Sequence, residues 1–112
     1  MMRLSDIKGD KVLDVLAEII VPVTNIAMDE DAAAIFKKAE LPKGETRTMF
    51  ALKRIQKHIP VLIKNHKEDS IKIMALISGQ TEEEYKESLT MASFVKDLKE
   101  LMSDEEFVKL FT

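Results

Sequence analysis

The stretch LPKGETRTMFALKRIQKHIPVLIKNHKEDSIKIMALISG, residues 41–79, decides the fold class of this chain. Stepped at about 100° per residue, Leu52, Ile55, Ile59, Leu62 and Ile63 fall on one narrow arc, and Arg47, Lys53, Arg54, Lys57, His58 and Lys64 fall opposite. That is the pattern of an amphipathic helix, with Thr46 able to cap its start and Pro60 disturbing its phase. Leu41-Pro42-Lys43-Gly44 ahead of it is a turn by its proline and glycine. Further on, Ile71, Ile73, Met74, Ala75, Leu76 and Ile77 are apolar nearly all round. Periodicity alone allows a buried strand there. Glu68 and Asp69 in the preceding turn and Gly79 at the far end favour a buried central helix.

Working outward, Val12, Leu13, Leu16, Ile19, Ile20 and Val23 recur at helical spacing behind Asp10, the expected N-cap. Pro22 has no backbone donor and disfavours helix at Val21, so this helix is expected to break or kink near Ile20. Asp29-Glu30-Asp31 then sets negative charge at the start of a short helix, Ala32–Lys38, and Lys37-Lys38 sets positive charge at its end; both suit the macrodipole. In the last third, Thr81-Glu82-Glu83-Glu84 and Ser103-Asp104-Glu105-Glu106 both read as capping boxes. Between them Phe94, Val95, Leu98, Leu101 and Met102 form an apolar stripe, and a final helix carries Phe107, Leu110 and Phe111 towards Thr112. The expectation is an all-α chain, residues 1–112 forming one compact domain of about six or seven short helices.

Composition narrows the functional classes. A hydrophobic fraction of 46% with 33% charged residues suits a folded globular chain. With no cysteine, disulfides and thiolate metal sites are excluded. No apolar run is long enough to span a bilayer, and the first residues lack the features of a signal peptide, so a cytoplasmic location is expected. His58 and His66, eight positions apart, form no zinc motif and read as two surface histidines on a basic segment; neither a metal nor any other cofactor is expected. The carboxylate clusters are explained by capping, and no phosphate-cradling loop or nucleophile elbow is present. Catalysis is therefore not expected. Seven methionines, among them Met49, Met74, Met91 and Met102 on expected helix faces, fit either core gap-filling or an adaptable apolar surface.

Charge is segregated along the chain. Lys43, Arg47, Lys53, Arg54, Lys57, Lys64, Lys67 and Lys72 face only Glu45, Glu68 and Asp69 in residues 41–79, an excess of about +5 in a chain whose total is −3. The 47–67 face fits a solvated surface, an acidic or amphipathic protein partner, or a phosphate backbone. Its single aromatic, Phe50, leaves bases without a stacking platform. Phe50 and Val61 lie on the basic side with Arg54 and Lys57, and apolar groups set in a charged stripe suggest a protein contact patch or the seam of a homo-oligomer. Phe50, Arg54, Lys57 and Val61 are thus the candidate partner-binding residues.

Four segments in order carry a family resemblance. These are Leu4-Ser5-Asp6-Ile7-Lys8-Gly9-Asp10-Lys11-Val12, then Leu41-Pro42-Lys43-Gly44, then residues 60–69 (PVLIKNHKED), then Asp104-Glu105-Glu106-Phe107. Together they resemble the small tail assembly chaperones of long-tailed bacteriophages and prophages, over nearly the whole chain. The resemblance implies an all-helical, non-enzymatic protein of the host bacterial cytoplasm that binds the tape measure protein and helps recruit tail tube subunits. It also implies absence from the mature virion, with no membrane and no nucleic-acid partner. A small helical nucleic-acid-binding regulator using the basic 47–67 face is the alternative.

Overall fold

Thr46 turns its hydroxyl back to accept the Met49 N–H at 3.1 Å, and from that cap α3 runs Arg47–Ser78. The computed structural model describes residues 3–37 and 39–111, and α3 is its axis. Ahead of it lie a 3-10 turn (Leu4–Asp6), α1 (Asp10–Ala27), α2 (Glu30–Ala33) and a second 3-10 turn (Ala34–Phe36). Behind it come α4 (Glu82–Ser88), α5 (Met91–Ser103) and α6 (Glu105–Lys109). The all-α expectation holds, with no strand among the described residues. The Cα radius of gyration, 13.6 Å, is close to the roughly 13 Å expected of one compact domain this long.

α1, α2 and α4 pack directly on α3 and α5 touches it more lightly, while α6 is held by α5 and the first 3-10 turn. Ile71, Ile73, Met74, Ala75 and Ile77 are buried and Leu76 half-buried, so the apolar segment is the central helix its surroundings favoured. It stops because Gly79 takes φ +70, letting its N–H reach the Leu76 carbonyl and the Gln80 N–H reach the Ala75 carbonyl at 3.0 Å. That paired closure is a Schellman motif, which a side chain at the left-handed position would strain. Tyr85 brings α4 onto α5: its hydroxyl donates to buried Asp97 Oδ2 at 2.7 Å. Burial first, and then the Asp97 carboxylate, raises the phenol's pKa well above its ordinary value.

Several expectations are corrected. Gly9, with φ +71, is the N-cap of α1, and Asp10 is the first helical residue rather than the cap. Pro22 neither breaks nor ends α1, which continues to Ala27. Its ring lies on the buried face with Ile19, Val23 and Ile26, and that burial offsets the missing bond to the Glu18 carbonyl. The interruption of α3 is displaced as well. The backbone stays helical past Pro60 and departs at His66, where φ is −136 and ψ is 33. The short helix starts at Glu30, capped by Asp29, rather than at Ala32, then changes to 3-10 and ends at Phe36 rather than reaching Lys38; Lys38 and Thr112 lie outside the described residues.

The capping boxes separate into one that forms and one that does not. Thr81 accepts the Glu84 N–H at 3.1 Å while Glu84 accepts the Thr81 N–H at 3.0 Å, and those bonds lower the Glu84 pKa. Ser103 caps nothing: it ends α5, its hydroxyl donates to the Glu100 carbonyl at 3.1 Å, and Asp104 caps α6 instead. A further box, Thr90 with Ser93, starts α5. Thr81→Ala and Thr90→Ala are each expected to destabilise the fold by about 0.5–2 kcal/mol, and Ser103→Ala by much less. Urea denaturation midpoints of the three variants check the ordering.

Candidate functional site

The four candidate residues on α3 do not form one free surface. The Arg54 guanidinium donates to the Ala34 carbonyl at 2.8 Å and to the Lys37 carbonyl, holding the second 3-10 turn against α3. It also stacks over Phe50, 5.6 Å from the ring centroid. Desolvation lowers its pKa, a cost that the two carbonyl acceptors answer. Phe50, Arg54 and Lys57 share a shallow cleft with Lys53, Glu45 and His58, and Lys53 there is ion-paired with Glu45. Burial, followed by the charges of Lys57 and Arg54, lowers the His58 pKa. Lys57 itself is exposed, whereas Val61 is half-buried and packs on the core.

His66 is not a surface histidine. At the break in α3 its Nε2 lies 2.9 Å from Asp29 Oδ2 and its Nδ1 3.2 Å from Asp69 Oδ2. Asn65 donates to Asp29 and Asn25 donates to Asp69, so the network joins α1, the cap of α2 and both halves of α3. The hydrogen bond from His66 is the chief reason the Asp29 pKa is lowered. An imidazole donates to both carboxylates only when both nitrogens carry hydrogen. The cluster is a bracket at the bend. Among the described residues, no group of three or more His, Cys, Asp or Glu side chains is arranged to hold a metal.

Two apolar surfaces are more prominent than the basic patch. Between α3 and α5 a groove of about 410 Å³ is lined by Ile59, Ile63, Ile71, Leu89, Met91, Phe94 and Val95, with Lys67 and Thr90 as its polar members. Met91 at its edge is 90% exposed. Phe94 and Val95, on the apolar stripe of α5 with the buried Leu98 and Leu101, are half-buried: they pack against the core and also form a wall of the groove. Its only sequence signal is the cluster of large apolar side chains just after the Thr90 cap.

The second surface is α1. Only Ile19, Pro22, Val23 and Ile26 of this helix are buried, and Val12, Leu13, Leu16, Ile20 and Val21 remain exposed. Val12 and Leu16 also line a cleft of about 490 Å³ with Leu4, Ile7 and Leu110. No helix among the described residues is long and apolar enough to cross a membrane. No known protein family, characterised protein or solved structure matches the chain.

Proposed function

We propose that this protein is a non-enzymatic tail assembly chaperone that holds apolar helical segments of a tape measure protein soluble and helps bring tail tube subunits to it. The observation that carries this reading is the α3–α5 groove. Its walls are almost wholly apolar, and the one cation lining it among the described residues is Lys67. An amphipathic helix laid in such a groove buries anchors at successive turns, and an acidic group on it can pair with Lys67 at the rim. Met91 supplies a flexible, polarizable contact suited to segments of varied sequence.

A helical nucleic-acid regulator would need free cations on the 47–67 face. Lys53 is ion-paired and Arg54 is occupied by two backbone carbonyls, which weighs against that use. The work of such a chaperone lies in the host bacterial cytoplasm during assembly, not in the mature virion.

Co-expression with tape measure segments tests the reading. Wild-type protein is expected to keep them in the soluble fraction, and the Ile63→Glu/Met91→Glu double variant to lose most of that effect while retaining its helicity, since both positions are exposed. Lys67→Glu, at the cation lining the groove, is expected to weaken binding more mildly and in a salt-dependent way. Arg54 is unsuitable for charge reversal because it holds the 3-10 turn. Segments that precipitate alike with and without the wild-type protein would defeat the proposal.

A further inference from the structure

We propose that α1 is the seam of an antiparallel homodimer, an inference independent of the chaperone reading. Leu13 is 66% exposed, Val21 60%, Ile20 43% and Leu16 40%, on a helix whose core-facing residues are Ile19, Pro22, Val23 and Ile26. On the helical wheel Leu13, Ala17, Ile20 and Thr24 form one seam at the four-three-four spacing of a coiled coil, flanked by Leu16 and Val21. Lys11, Glu18 and Asn25 project away from it.

The pattern is complementary to itself when reversed. With a two-fold axis opposite the midpoint of Ala17 and Ile20, Leu13 meets the partner's Thr24 and Ala17 meets the partner's Ile20, while Leu16 on one flank and Val21 on the other each pack beside their own symmetry mates. Along the seam each large side chain faces a smaller one, as interdigitating layers require. Charge also permits the arrangement. Asp14, the ionised group bordering the middle of the seam, is about 13 Å along the axis from its symmetry mate, beyond the roughly 8 Å screening length of physiological salt. A basic or acidic partner helix would find no complementary row of charges here, whereas a second copy needs none.

The area is sufficient. The exposed apolar side chains of α1 amount to on the order of 500 Å² per copy, at the upper end of the largest patch on a typical monomer. Two copies with their rims reach roughly the 1,200 Å² at which specific interfaces begin.

Light scattering coupled to size exclusion, over a concentration series from low to several hundred micromolar, is the test. Wild-type protein is expected to run as a dimer that dissociates on dilution, and Leu13→Glu/Ile20→Glu to raise the dissociation constant by about a hundredfold or more with unchanged helicity. Ala17→Arg, a single exposed change, provides the same readout should the double variant misfold. The Leu13→Cys/Thr24→Cys chain is expected to oxidise to a covalent dimer. Within one helix those positions are about 16 Å apart, too far for an internal bridge. A wild-type monomer throughout the series overturns the proposal, as does a dimer unaffected by Ala17→Arg or not cross-linked by the cysteine pair. A monomer whose α1 variants fail to solubilise tape measure segments would assign the face to a foreign helix and overturn it equally.

Discussion

Replacing Phe107 by alanine is expected to cost about 3–5 kcal/mol, roughly a fifth or more of the stability typical of a domain this size. Phe107 is fully buried, and its ring meets Phe36 edge-on at 5.1 Å and an interplanar angle of 81°. Phe111 completes a triangle, 5.3 Å from Phe107 and 5.0 Å from Phe36. These rings join the 3-10 turn after α2 to α6, two short elements with little hydrogen bonding of their own to hold them. The loss therefore combines transfer, a cavity that three surrounding elements cannot all close, and two ring contacts worth about 0.5–1.5 kcal/mol each. Urea denaturation at fixed protein concentration measures it, since association also shifts apparent stability. A loss below about 1 kcal/mol would show that the triangle is not what holds α6.

The second large effect is expected at Asp104, whose side chain is fully buried although it is ionisable. Its carboxylate accepts the Ser5 hydroxyl, the Ser5 N–H at 3.3 Å and the Glu106 N–H at 3.2 Å, so it caps α6 and pins the N-terminal 3-10 turn at once. Asp104→Ala removes the one acceptor shared by these part-buried donors and leaves a small cavity, at an expected cost of about 1–3 kcal/mol. Asp104→Asn keeps a carbonyl acceptor and is expected to lose roughly half as much. Denaturation midpoints of the two variants provide the comparison. Equal midpoints for wild type and Asp104→Ala would remove Asp104 from its role as the joint.

The features legible in the sequence are those set by local chemistry. Thr46, Thr81 and Gly79 were readable because a cap is decided within a few residues of backbone, and Ile71–Ile77 because a segment apolar all round has nowhere to lie but inside. Ser103 misled because Asp104, one place further on, offers the stronger acceptor and is held by Ser5, 99 positions away. Thr90 was hidden because its box is closed by Ser93 rather than a glutamate. The Pro22 and His66 corrections have one cause: tertiary contacts decide whether a helix bends. Pro22 has the core behind it, while His66 has carboxylates from two elements pulling on one ring. Spacing identified the apolar residues of α1 correctly and could not say that neighbours cover only some of them. The same limit applied to Arg54, whose carbonyl acceptors become its neighbours only once the chain has folded.

The joint at Asp104 has a consequence for the order of folding. Arg3 donates to the Ser103 carbonyl at 2.7 Å, so the segment before the first 3-10 turn and the end of α5 meet across 100 positions of sequence. Closing a flexible loop of that length costs about 4 kcal/mol, against only a few hydrogen bonds gained. The closure is favourable only after the helices between have already shortened the distance. During synthesis residues 3–7 therefore stay undocked at least until Asp104 has left the ribosome, and their docking is expected late in folding and its loss early on unfolding.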